Sequence, residues 1–471
     1  MVFGGLSTAK AADGKQPNVL FILVDDFGWK DVGYNGSSFY ETPEMDKLSQ
    51  QWMKFDNCYT PSPMCSPTRT SILTGKNPAR HGVTQWLPGV DRAFGRQGES
   101  ARVYCPKSQA EGIKDSEITL GEAFQKGGYE TAFYGKWHMG KLDATGGPAN
   151  HGYSSQGAVI EENSCAMFYP FRNHPEYFPN GKDGDNFTDS ITDAAIEFVT
   201  RKHDKPFYLH LAHFAMHAPI GSKADLREHF QKKADQLPAV ESDWVMDDHY
   251  AHKPYKRRQD DAEYAGELAT LDHNIGRLIE SLKAAGLYEE TIVILTGDNG
   301  GRSCEMQGHP TSNEPLRTGK TYVFEGGIKT PLLIHWPGKT KPGARSDAVV
   351  TSTDFFPTLL EMTGLPLLPD QHADGTSLVP LIEGNELDRD AIYWHFPHYQ
   401  GEGSYPASAI RLGNYKLIHN YHHNDVLLYD VVQDPRETAN LAPAMPEKAR
   451  DLDGRLMRYL SEVGAYVPQT K

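Results

Sequence analysis

Two uninterrupted apolar runs, Asn18-Val19-Leu20-Phe21-Ile22-Leu23-Val24 and Thr291-Ile292-Val293-Ile294-Leu295-Thr296, stand far apart in the chain but end in the same chemistry. The first is followed by Asp25-Asp26 and the second by Gly297-Asp298-Asn299-Gly300-Gly301. Strand-forming residues without polar alternation are how a strand buried on both faces reads, and such strands belong to parallel sheets covered by helices. In those sheets the working side chains gather at the carboxyl ends of the strands. The pair therefore predicts an α/β fold, with a large central, mostly parallel sheet flanked by helices and four oxygen-bearing side chains at one sheet edge. Taken alone, Asp25-Asp26 could equally cap the next turn. Joined by Asp298 and Asn299 they make an oxygen-only set that suits a hard cation and speaks against zinc. Calcium, which tolerates irregular geometry, is expected ahead of magnesium, which wants a tighter octahedron.

The segments between these runs supply the rest of such a fold. Helices are expected over Pro43 to Phe55, Ile118 to Gly127 and Ser190 to Lys202, and a long amphipathic one over Ala262 to Leu282, closed by Gly286. Strands are expected at Tyr129 to Tyr134, delivering Gly135-Lys136-Trp137-His138-Met139-Gly140, and at Pro206 to Ala212, running into His213-Phe214-Ala215-Met216-His217-Ala218-Pro219. On an extended segment Lys136 and His138 share a face. His210 and His213 read as structural. Pro88 to Asp115, Glu161 to Gly184 and Asp225 to Lys256 read as polar insertions, the last one mobile and beside the site. Trp86, Arg92 and Arg96 are candidates for a sugar-binding rim. Beyond Gly375 the pattern shifts to short strands at Ala391 to Phe396, Ser408 to Leu412, Tyr415 to His419 and Leu427 to Asp430, with a helix over Glu447 to Glu462. This predicts a smaller α+β domain with a short antiparallel sheet. The expected division is 17–385 and 386–471, with the loops around His395-Phe396-Pro397-His398-Tyr399 and Tyr421-His422-His423 helping to form a sugar pocket.

Charge and composition narrow the partners. A net charge of −15 argues against nucleic acid and leaves an anionic substrate dependent on a local basic pocket. No apolar run approaches membrane-spanning length. Five cysteines, at 58, 65, 105, 165 and 304, fit neither a disulfide scaffold nor a zinc pattern, and their pairing stays open. The small-residue stretch from Gly4 to Ala12 contains Ala9-Lys10-Ala11, which reads as the tail of a truncated signal peptide or as an irregular terminus.

The segment Pro61-Ser62-Pro63-Met64-Cys65-Ser66-Pro67-Thr68-Arg69 reads as chemistry before it reads as structure. Ser66 suits an N-cap, Pro67 a first helical position and Gly75 a stop, which predicts a short helix with Cys65 just before it. Such a helix start offers N–H groups and positive dipole to an anion, and Arg69 lies one turn inside.

With Ser71-Ile72-Leu73-Thr74-Gly75 and Arg80-His81-Gly82 behind it, this segment resembles the signature of formylglycine-dependent sulfatases of the alkaline phosphatase superfamily. The likeness extends over nearly the whole chain through Gly135-Lys136-Trp137-His138, His217, Lys320 within Thr311 to Lys320, and Phe324-Glu325-Gly326-Gly327. It implies an alkaline phosphatase-like fold and a Cys65 oxidised to formylglycine by a formylglycine-generating or anaerobic sulfatase-maturing enzyme. It also implies a cation held by Asp25, Asp26, residue 65, Asp298 and Asn299. In that scheme Arg69 and Lys136 hold and polarise the hydrated aldehyde, and His138 takes a proton from its second hydroxyl. His217 and Lys320 bind sulfate oxygens and protonate the leaving alcohol. By the same analogy the substrate is a sulfated polysaccharide or oligosaccharide met in the periplasm or outside the cell. A phosphonate monoester or phosphodiester hydrolase of the same superfamily and a non-catalytic glycan-binding protein are the competing expectations.

Overall fold

The first apolar run is the central strand of the molecule. The computed structural model describes residues 16–87, 101–142, 146–160, 167–171, 175–246, 253–304 and 308–471. Within them, β1 (Asn18–Val24), β2 (Met53–Tyr59), β3 (Glu130–Lys136), β4 (Ser155–Ile160), β5 (Phe207–His213), β6 (Thr291–Gly297), β7 (Leu332–His335) and β8 (Arg345–Thr351) form one eight-stranded sheet in the order β8-β2-β7-β6-β1-β5-β3-β4. β1 pairs in parallel with β5 and β6, and β7 alone is reversed, antiparallel to β6 and β2. The two apolar runs are therefore neighbours, with Val24 opposite Gly297.

Helices cover both faces, which is why β1 needs no polar face. On one side Leu20, Ile22 and Val24 pack into a core with α1 (Pro43–Gln51), α4 (Phe187–Thr200), α5 (Ala224–Ala234) and α6 (Ala262–Ala284). On the other, Val19, Phe21 and Leu23 meet α2 (Cys65–Thr74), α3 (Leu120–Lys126) and α7 (Phe355–Met362). The six apolar residues Val19 to Val24 are fully buried, so deleting any one side chain to Ala costs about 2–5 kcal/mol.

The structure departs from the sequence reading in several places. The helix expected over 43–55 stops at Gln51, and Met53–Tyr59 is a sheet strand, because Met45, Leu48 and Trp52 carry a helical apolar spacing up to the strand's start. The helix at Cys65 begins on the cysteine itself with Met64 as cap, and Ser66 Oγ accepts the Leu87 N–H (3.0 Å) instead of capping. Gly75 ends the helix in left-handed conformation, as expected. The polar segment read as an insertion over 225–256 carries most of helix α5, which buries Phe230 beside Phe39. Arg92, Arg96, Cys165 and residues 1–15 lie outside the described residues.

The C-terminal region forms a second, four-stranded antiparallel sheet of β9 (Ala391–Phe396), β10 (Ala407–Leu412), β11 (Tyr415–Asn420) and β12 (Asp425–Asp430). Helix α8 (Pro446–Glu462) crosses it, burying Ala449, Leu452, Leu456 and Leu460 against Ile410, Leu417 and Leu428. No disulfide joins the described cysteines, and no described helix is long and apolar enough to cross a membrane.

Candidate active site

The β1 and β6 ladders continue one step past the strands, with the Asp25 N–H donating to His213 O (3.3 Å) and the Asp298 N–H to Val24 O (3.1 Å). That extension places the Asp25 and Asp298 carboxylates side by side at the carboxyl edge. Asp26 adopts a left-handed φ of 52°, tolerable for a short polar residue, and its N–H donates to Asp298 Oδ1 (3.1 Å). Asn299 Nδ2 donates to Asp26 Oδ1 (2.8 Å), which leaves Asn299 Oδ1 buried and without a hydrogen-bond partner, as is Asp25 Oδ1. One ligand atom each from Asp25, Cys65 and Asp298 lie within 4.8 Å of one another, and the same holds for Asp25, Asp26 and His217.

Cations close in on this acidic cluster. Arg69, one turn into α2, donates from Nε to Asp298 Oδ2 (2.7 Å) and from Nη1 to Lys136 O (2.6 Å), with Nη2 3.8 Å from Asp25 Oδ1. Lys136 Nζ donates to Asp25 Oδ2, and Lys320 Nζ lies 2.7 Å from Asp26 Oδ1. Lys136 reaches its place through a register shift in β3 at Gly135, whose φ of +97° and close approach admit only glycine: a Cβ there would lie 2.0 Å from Ala212 O. His138 Nδ1 is 3.3 Å from Cys65 Sγ. His217 Nδ1–H donates to Ala218 O (2.6 Å), which leaves Nε2 bare, 3.9 Å from Asp26 Oδ2. Every one of these side chains is buried.

Burial pushes Asp25 up, yet the charges around it, Lys136 foremost with Arg69 and Lys320, hold its carboxyl well below the usual range. Burial, followed by the Asp25 charge, pushes Asp298 up to about 7, a penalty that a bound cation would reverse. His138 is driven well below its ordinary value by burial and by Lys136 and Arg69, and His217 by burial and by Lys320 and Lys136. Burial raises the Cys65 thiol. Cys65 and His138 therefore face each other as neutral thiol and neutral imidazole, a poor arrangement for a thiolate nucleophile.

The sequence-derived metal and catalytic candidates, Asp25, Asp26, Cys65, Arg69, Lys136, His138, His217, Asp298, Asn299 and Lys320, converge on this one edge. His210 does not join them: it is packed against the rings of Phe21 and Phe133. Two of the C-terminal histidines, His395 and His398, are corrected by the structure. His395 is a buried residue of strand β9, bonded to Ser408 Oγ (2.7 Å) and Tyr466 O (3.2 Å), and His398 Nε2 meets Thr84 Oγ1 (2.9 Å), so neither imidazole is presented on a loop to a sugar. Trp86, a rim candidate from the sequence, packs against a cluster containing Met64, Cys65, Cys304 and Tyr322, of which the sequence does not single out Tyr322.

A family profile described as "Sulfatase" matches residues 17–365, and one described as "N-sulphoglucosamine sulphohydrolase, C-terminal" matches residues 318–463. Human N-acetylgalactosamine-6-sulfatase is 30% identical over 421 residues, covering 85% of this chain and 71% of that protein. Human arylsulfatase A is 30% identical over 479 residues, covering 93% and 87%. The solved structure described as Ps i-CgsB in complex with k-i-k-neocarrahexaose superposes with a TM-score of 0.74 at 25% identity, over 95% of this chain and 93% of that one.

Proposed function

The chain belongs to the sulfatase family of sulfuric ester hydrolases, and from that premise we propose that it removes sulfate from a sulfated carbohydrate, using a formylglycine made from Cys65 and a calcium ion. The observation that carries this reading is the meeting of Asp25 and Asp298 from paired strands with Cys65, inside a ring of Arg69, Lys136 and Lys320.

The residues fit a hard cation. Asp25 Oδ1 and Asn299 Oδ1 are buried oxygens with no hydrogen-bond partner, and Asp26 and Asp298 add carboxylates beside the side chain at residue 65. Asp25, Asp26, Asp298, Asn299 and residue 65 would hold calcium, which supplies positive charge to the attacking oxygen and to the sulfuryl group. Three carboxylates and three fixed cations balance before it binds, so a divalent ion leaves the floor net positive and suited to a sulfate ester anion.

A formylglycine at position 65, once hydrated, would offer one hydroxyl to sulfur as the ester alcohol leaves, and a second whose deprotonation would release sulfate and return the aldehyde. His138 is neutral and faces residue 65, placed to accept that proton. Arg69 and Lys136 fix the carboxylates and the oxygen at residue 65. Lys320 Nζ and His217 Nε2, both beside Asp26, bind sulfate oxygens. Because the resting His217 is neutral with Nε2 bare, the proton it passes to the leaving alcohol is acquired as the sulfate anion arrives and raises its basicity.

The carbohydrate part of the proposal is supported by the hexosamine sulfatase name of one relative and the oligosaccharide bound in one structural neighbour. We assign residues 17–385 to catalysis and 386–471 to completing the pocket, and place the enzyme in the periplasm or outside the cell, matured there or before export by a formylglycine-generating or anaerobic sulfatase-maturing enzyme. A panel of sulfated galactosamine, glucosamine and galactan oligosaccharides, assayed for free sulfate, tests the substrate class. Release from at least one sugar at a rate above that from 4-nitrophenyl sulfate supports it, and turnover of the aryl ester alone overturns it.

A further inference from the structure

A buried ionic cluster joins the small sheet to the active-site floor. Lys416 of β11 is fully buried, with Nζ 2.9 Å from Glu325 Oε1 and 2.8 Å from Glu437 Oε1. Glu437 Oε2 accepts the Glu325 N–H (2.7 Å), and Tyr59 OH donates to Glu325 Oε2 (2.6 Å) while receiving Arg411 Nη1. Burial alone would raise the Glu325 carboxyl, but Lys416, Arg411 and Lys329 outweigh it and bring it to about 2. None of these residues faces the residue-65 site through a hydrogen bond, so the proposed chemistry leaves them without a direct part.

Their mechanical connection is tight. Glu325 opens the short helical turn Glu325–Ile328, and its next residues, Gly326 and Gly327, lie backbone to backbone with the two segments that carry site residues. Gly300 N–H donates to Gly327 O (3.0 Å), directly after Asn299, and Lys320 N–H donates to Gly301 O (3.1 Å). There is no slack: a Cβ on Gly300 would lie 1.9 Å from Gly326 O, and one on Gly319 would lie 2.2 Å from Gly301 O. On the far side, Arg317 donates to Glu437 O (2.7 Å) and accepts the Gly326 N–H at its carbonyl (3.0 Å). A shift of the Glu325 turn is therefore passed to Asn299 and Lys320 together. Buried ion clusters of this kind add little net stability compared with apolar packing, but they fix one geometry.

We propose that Lys416 is a positioning residue for catalysis: clamped between Glu325 and Glu437, it locks the Gly326–Gly327 turn and thereby sets Asn299 for the cation and Lys320 for the sulfate. The small C-terminal sheet is thus part of the catalytic machinery through its core as well as through any pocket wall. The inference rests on the calcium-dependent sulfatase reading.

The test compares the native full-length protein with Lys416→Met and Lys416→Arg. Calcium affinity of the metal-stripped protein is measured by titration calorimetry, and kcat and KM for 4-nitrophenyl sulfate at saturating calcium. Lys416→Met is expected to weaken calcium binding and lower kcat by about 10- to 100-fold each, as loss of a support to metal ligands does, with KM changed less than about threefold. Lys416→Arg, which keeps the charge, recovers most of both. A folded Lys416→Met with calcium affinity and kcat within about twofold of native overturns the proposal. If that variant does not fold, Lys416→Met/Glu325→Gln, which removes the opposing charges together, is held to the same criteria. Should the native protein release no sulfate, the functional reading fails while the calcium titrations still decide the positioning role.

Discussion

Replacing Arg69 by Met separates two roles that the structure superposes. The guanidinium is almost fully buried against Asp298 and, 3.8 Å away, Asp25. At an effective dielectric constant of about 20, a charge pair at that distance is worth ~4 kcal/mol, and removing one member of a buried pair typically destabilises by about 3–5 kcal/mol. Unfolding entropy of about 2.1 cal/mol/K per residue gives a chain of this size roughly 1 kcal/mol/K, so Tm in the absence of calcium falls by about 3–5 °C. The same substitution leaves the three carboxylates facing only Lys136 and Lys320, so calcium binds the variant at least about tenfold more tightly, ~1.4 kcal/mol. Saturating calcium stabilises both proteins, and a tenfold tighter site returns only ~1.4 kcal/mol of the difference, so the Tm gap narrows by about 1–2 °C. Activity does not return with it: loss of one fixed cation at the developing charge costs about 100- to 1,000-fold in kcat. Thermal unfolding with chelator and then across a calcium titration, alongside sulfate release, reads all three quantities. A variant that binds calcium no more tightly than native, or that keeps more than a tenth of native kcat, refutes the charge balance argued here.

Three further outcomes follow from particular contacts. Gly135→Ala, which forces a Cβ to 2.0 Å from Ala212 O, displaces Lys136 and is expected to lower kcat by at least about tenfold, with a Tm loss visible by calorimetry. His395→Ala breaks one buried and one partly buried hydrogen bond and lowers stability by about 1–3 kcal/mol, while kcat/KM stays within twofold of native on aryl sulfate and on glycan alike; a loss confined to the glycan would restore His395 to the sugar pocket. Burial holds His81, His210 and His398 down at about 3 and His213 at about 4, so each binds a proton in the unfolded chain near pH 6.5 but not in the folded one until far lower. Stability is therefore full above pH 6.5 and falls by up to ~1.4 kcal/mol per pH unit per histidine on acidification, and equilibrium unfolding at constant urea should show the loss beginning near pH 6.5.

The metal-side residues were legible because a strand buried on both faces announces itself, and a carboxylate at its end has few reasons to be there. Arg69 was legible from its place one turn after Cys65, whereas Lys320 sits in a glycine-flanked loop with no periodicity and was reached only through family resemblance. Strands β7 and β8 escaped: β7 has four residues, and β8 is an edge strand with polar Arg345, Ser346 and Asp347 at its start. The pairing of Glu325 with Lys416 and Glu437 left no local trace: Glu325 stands in a family-like segment, but its partners lie 91 and 112 residues away and read as ordinary surface charges in the sequence. His395 misled in the opposite direction: the strand Ala391–Phe396 that carries it was legible, but the aromatic and histidine-rich run into Pro397 suggested a pocket wall, and nothing local showed that its imidazole is turned inward onto Ser408 and Tyr466.

The central claim, that a formylglycine at position 65 drives sulfate ester hydrolysis, meets its most direct test in one paired measurement. Peptide mass spectrometry fixes the fraction of residue 65 that is aldehyde in each of several preparations made with and without a maturing enzyme, and initial rates on 4-nitrophenyl sulfate and on 4-nitrophenyl phenylphosphonate are taken from the same samples. Sulfate release proportional to the aldehyde fraction, extrapolating to zero for unmodified Cys65 and exceeding phosphonate turnover, is the expected result. Full sulfate release from protein carrying only the thiol, or a phosphonate rate above the sulfate rate, would contradict it.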